Sequence, residues 1–168
     1  MIRRLHAALD ALLLGITMPL TVVMLVCVVW QVIGRYLLGS STSYTDEMAR
    51  FLFIWVSLLG AAYVLGRRGH IAITGLINFA PARSRRIIDL LIFLLVVLFA
   101  AVILCVGGGI LVERALRLGQ VSPAMLLPVG YVYAVIPISG VLTAIYGLLA
   151  AAELLTGQES AHSTVSLD

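Results

Sequence analysis

Four long apolar runs, the first three closed by arginines, leave this chain few folds to choose from. A membrane-spanning helix needs about 20 predominantly apolar residues, and the first run alone, Ala11 to Trp30, is 20 residues without a charge. Of the 168 residues, 62% are hydrophobic, and the mean hydropathy of +1.13 lies far above that of a soluble domain. The reading is an all-α integral membrane protein with spans at about 8–33, 46–66, 87–112 and 123–152. These four form a single membrane domain over 1–155, followed by a polar tail, 156–168, that is too short to bury a core. The first run is longer than the core of an ordinary signal peptide, so it is read as a retained helix.

The joints carry the charge. All eleven basic residues are arginines, and they cluster at the ends of the runs, so the net charge of +3 records topology and not a nucleic-acid partner. Arg3, Arg4 and the five arginines between Arg67 and Arg86 fall on one side of a four-span chain, and Arg35, Arg50, Arg114 and Arg117 on the other. The excess of arginine places the central joint in the cytoplasm. Both the N-terminus and the C-terminus are then cytoplasmic, and Arg35–Arg50 and Glu113–Ser122 face outside. Within the central joint, His70–Phe79 is apolar enough to lie flat on the membrane surface.

Few residues offer chemistry. No carboxylate sits at the middle of a span, His6, His70 and His162 lie at joints or termini, and Cys27 and Cys105 stand alone in apolar runs. Midplane ion coupling, haem ligation, metal binding and nucleophilic catalysis all lack their residues. The exception is the start of the second span, where Asp46 and Glu47 stand four and three residues before Arg50, close enough on a helix for both to reach it. Two carboxylates against one Arg leave a negative charge to be met by Arg35 across the turn or by a partner's cation. The plain alternative is an ion pair at a helix start. Arg68 and His70 read equally as headgroup anchors, Trp55 as a belt or packing residue, and Pro128 and Pro137 as kinks. Gly60-Ala61-Ala62 and Gly107-Gly108-Gly109 are small faces suited to close helix packing.

Taken in order, Arg35-Tyr36, Asp46-Glu47, Arg50, Trp55, Leu59-Gly60, Arg68 and His70-Ile71-Ala72-Ile73 resemble the characteristic block of the small membrane subunit of tripartite ATP-independent periplasmic (TRAP) transporters. Ser122-Pro123-Ala124-Met125, Leu127-Pro128 and Tyr133–Pro137 are similar to that family's fourth-helix block. Tyr44 stands where the family commonly has Trp, and Thr74 where an Asp often follows the His. The resemblance implies a non-catalytic scaffold without a cofactor of its own. It also implies a large membrane subunit that carries substrate and sodium ions, a soluble periplasmic binding protein that delivers an organic acid anion, and surrounding membrane lipids. The substrate is not written in this chain. Two other classes stay open on the residues alone, an independent oligomeric carrier and a membrane anchor or assembly protein of another complex.

Overall fold

The computed structural model describes residues 2–37, 43–66 and 82–156. Helix α1 runs Ile2–Leu37 and α2 Ser43–Gly66. The third span comprises α3, Ala82–Phe99, a π-helical segment, Ala100–Gly107, and α4, Gly108–Arg117. The last is a short α5, Val129–Tyr133, followed by α6, Val135–Thr156. Four stretches are long and apolar enough to cross a membrane: Arg4–Leu37, Ser43–Gly66, Leu90–Arg117 and Val129–Ala152. The all-α, four-span class expected from hydropathy is therefore observed. Arg67, Arg68, the segment from His70 to Phe79 and the tail 157–168 lie outside the described residues.

The spans form a row. Helix α2 packs between α1 and α6, and α6 packs in turn against α3 and the π-helical segment. The core lies where the inner pair meets α1, around Leu13, Leu59, Val135 and Tyr146. The outer helices instead expose bulky aliphatic side chains, among them Val22, Leu25 and Val26 on α1 and Leu94, Leu95 and Val102 on the third span. Such all-aliphatic surfaces suit hydrocarbon and cost nothing there.

Glycine lets the third and fourth spans close on each other. A Cβ on Gly140 would stand 2.7 Å from Leu104 Cβ and 2.9 Å from Cys105 Sγ, and one on Gly108 would stand 2.7 Å from Ile136 Cγ2. The expected small faces are thus divided. Gly108 and Ala62 are buried within the chain, whereas a Cβ on Gly60 or Gly109 would meet nothing within 4 Å, and these two glycines face outward.

The beginning of the last span differs from expectation. Ser122 and Pro123 do not open a helix; they belong to a folded loop, and the helix begins at Val129. Gly119, at φ 58°, ends α4, with its N–H donating to the Leu116 carbonyl and that of Gln120 to Ala115. These two bonds are the pair that closes a Schellman cap. Ser122 N–H then bonds Leu127, Val129 N–H bonds Gln120, and Val121 pairs with Pro128 as an isolated antiparallel bridge. Pro137 has no N–H to offer the Tyr133 carbonyl, and the helix breaks there, at Ala134.

Candidate functional site: the polar ties of the second helix

The first two turns of α2 place Asp46, Glu47 and Arg50 near the ends of two other elements. Asp46 takes both partners its position allows. Arg50 Nη2 donates to its Oδ2 at 2.8 Å, and Gln31 Nε2, from α1, donates to its Oδ1 at 2.8 Å. The Asp46–Arg50 pair follows from helical spacing. With side chains 69% and 45% exposed for Arg50 and Asp46, it is worth only about 0.3–0.5 kcal/mol as a surface pair.

Glu47 behaves otherwise, and this corrects the expectation that both carboxylates converge on Arg50. Its Oε2 accepts the backbone N–H of Ala124 at 2.9 Å and of Met125 at 3.0 Å. The buried Ser122 hydroxyl is a further hydrogen-bonding neighbour of the same carboxylate, and it also accepts the Met125 N–H at 3.3 Å. Successive N–H groups aimed into a turn form a concavity suited to an anion, and here the anion is a side chain of the same protein. The second negative charge therefore meets backbone dipoles where a second cation was expected. Among the described residues no ion pair joins Arg35 to either carboxylate; Arg35 and its neighbour Tyr36 are exposed.

Two turns further along α2, Trp55 Nε1 donates to the Val132 carbonyl at 3.1 Å. This makes Trp55 a packing residue with a polar tip, tied to the short helix α5 just ahead of the break at Ala134. Pro128 precedes α5 as its N-cap in extended conformation, while Pro123 lies in the loop held by Glu47. Gly60 faces outward on the same helix.

A third tie lies at the other end of the molecule. Tyr146 is 1% exposed, and its hydroxyl donates to Asp10 Oδ1 at 2.8 Å. The His6 ring meets the Tyr146 ring edge-on at 5.7 Å between centroids. Gly66 lies against that ring so closely that a Cβ would collide with it. Sequence reasoning missed Gln31, Asp10 and Tyr146. The signal was an amide, a carboxylate and a phenol at the margins of apolar runs, where polar side chains seek a partner.

The four carboxylates whose side chains are described, Asp10, Asp46, Glu47 and Glu113, thus all have partners in the chain, Glu113 pairing with Arg117 at 2.7 Å. Among the described residues no group of three or more His, Cys, Asp or Glu is placed to hold a metal ion. What the arrangement does chemically is hold elements in register.

These features define a multi-pass α-helical membrane protein whose polar groups are structural ties. The family model for the DctQ component of the tripartite ATP-independent periplasmic transporters matches residues 24–157, and the chain belongs to that family. It is a transporter component of the bacterial inner membrane and not an enzyme. Among its relatives is the ectoine TRAP transporter small permease protein TeaB of Halomonas elongata, 28% identical over 141 residues, 82% of this chain and 71% of the relative. The C4-dicarboxylate TRAP transporter small permease protein DctQ of Rhodobacter capsulatus is 31% identical over 99 residues, 59% of this chain and 43% of the relative. The isethionate TRAP transporter permease protein DctMQ of Oleidesulfovibrio alaskensis is 31% identical over 123 residues, 72% of this chain but 18% of that longer protein.

Proposed function

We propose that the chain is the fixed scaffold subunit beside a large membrane subunit, which carries out sodium-coupled uptake of an organic acid anion delivered by a soluble periplasmic binding protein. The observation that carries this reading is the internal use of Asp10, Asp46, Glu47 and Glu113. A carrier needs carboxylates free to exchange partners as ions pass, and here they are committed to helices and loops of the same chain. The fusion relative supports a large partner, because a segment like this one is continuous there with a far longer permease. The chain needs no cofactor of its own, and sodium belongs to the large subunit.

In this reading both termini are cytoplasmic, and the end of the molecule holding Asp46, Glu47 and the 120–128 loop is periplasmic. That loop is the surface offered to the binding protein. The outward-facing Gly60 and Gly109, with the exposed Asp46–Arg50 pair, are the candidates for contact with the large subunit, since association within lipid rests on close packing and polar pairs.

The test is reconstitution. Proteoliposomes holding this chain, the large subunit and the binding protein are expected to take up solute under a sodium gradient, and omission of this chain is expected to abolish uptake. Uptake by the chain alone would overturn the scaffold reading in favour of an independent carrier.

A further inference from the structure

We propose that Glu47 is a positioning residue for transport: its carboxylate holds the 120–128 loop in the shape that the binding protein meets. The inference rests on the reading that this loop faces that partner. Three observations carry it. First, the loop is preformed, closed by its own Ser122–Leu127 and Leu126–Ser122 backbone bonds and tied at its tip from outside. Leu126 is held at φ 54°, a left-handed conformation unfavourable for a side chain such as leucine, which persists only where surroundings impose it. The N–H groups of Ala124 and Met125, immediately before Leu126, are fixed from outside the loop by Glu47 at 2.9 and 3.0 Å.

Second, the strained turn displays its side chains. Leu126 is 73% exposed, Val121 in the same loop is exposed, and so are Leu118 and Tyr131 on the segments that flank it. A tie that served only to bury apolar surface would not leave these four outside. Third, the tie is long-range. Glu47 sits one helical step from Asp46, which binds α1 through Gln31, and eight residues before Trp55, which binds the Val132 carbonyl beyond the loop. The loop is thus fixed to α2 at its tip and again just past its end. A surface with fixed backbone loses less entropy on docking than one that must order itself, so release of the tip should weaken capture of the binding protein while leaving the transport step itself intact.

The experiment uses the complete reconstituted transporter and titrates the binding protein, reading the concentration that gives half-maximal uptake separately from the maximal rate. Glu47→Ala is expected to raise the half-maximal concentration about tenfold with little change in maximal rate, the size set by hydrogen bonds to a charged group. Glu47→Gln, which keeps an acceptor oxygen, is expected to restore most of the loss. Leu126→Glu, which alters the displayed surface but not the tie, is expected to raise the same parameter. Amide hydrogen exchange at Ala124 and Met125 in the assembled complex should accelerate in Glu47→Ala and not in Leu126→Glu.

If Leu126→Glu weakens capture but Glu47→Ala does not, the positioning role is overturned and the docking surface stands. If neither variant changes capture, the docking surface falls and the proposal falls with it. Should Glu47→Ala fail to assemble, Glu47→Asp, which keeps the charge but is one methylene too short to reach the loop, carries the test: unchanged amide exchange with unchanged capture would overturn the proposal, since the loop would then hold its shape without the tie.

Discussion

At the scale of single residues, the molecule relies on a few hydrogen bonds whose partners are far apart in sequence. Tyr146 shows how such a residue can be separated into its parts. Tyr146→Phe removes only the hydroxyl that donates to Asp10, and should cost about 1 kcal/mol or somewhat more, because the carboxylate loses a donor. Gly66→Ala attacks the packing of the same ring and should cost about 1–3 kcal/mol, the usual range for overpacking. Thermal unfolding of the detergent-solubilised protein distinguishes the two, with the larger fall in midpoint expected for Gly66→Ala. The Asp46–Arg50 pair was legible because helical spacing alone brings the two together. The partner of Glu47 was not, for a plain reason: backbone N–H groups of Ala124 and Met125 carry no side-chain signature, and nothing local links residues so distant in sequence.

At the scale of elements, hydropathy reported how many spans there are but not where the last one starts. The segment from Val121 to Pro128 is as apolar as a helix, yet its two prolines and the cap at Gly119 divert it into a loop. The π-helical segment was equally hidden, since its residues, Ala100–Gly107, have ordinary helical composition. It lies against Gly140 and Pro137 of the last span, and such segments are commonly found at functional positions. Two variants test how the last span is shaped. Trp55→Phe keeps the ring but withdraws the indole N–H from the Val132 carbonyl, and is expected to lower stability by about 1 kcal/mol in thermal unfolding. Pro137→Ala restores a donor for the Tyr133 carbonyl and should join α5 to α6, read as amide exchange at Val135, Ile136 and Ile138 that is slower than in the unaltered chain.

For the molecule as a whole, the row of helices leaves one side of α2 and the outer faces of α1 and the third span uncovered. Gly60→Leu should leave the chain itself as stable as before, since nothing lies within 4 Å of a Cβ added there. It is expected to reduce copurification of the large subunit severalfold if close helix approach occurs at this point, whereas undiminished copurification would move the contact elsewhere. The ties at the two ends have another consequence. About 32 Å of helix rise separates Asp10 from Gln31 on α1, and about 30 Å separates Asp46 from Gly66 on α2, at 1.5 Å per residue. Both lengths match the roughly 30 Å of hydrocarbon in an ordinary bilayer. The Gln31–Asp46 and Tyr146–Asp10 ties thus sit at the two water boundaries and act as a gauge of lipid thickness. In bilayers of shorter or longer acyl chains one end must be drawn into hydrocarbon or the helices must tilt, and the thermal midpoint should pass through a maximum near that natural thickness.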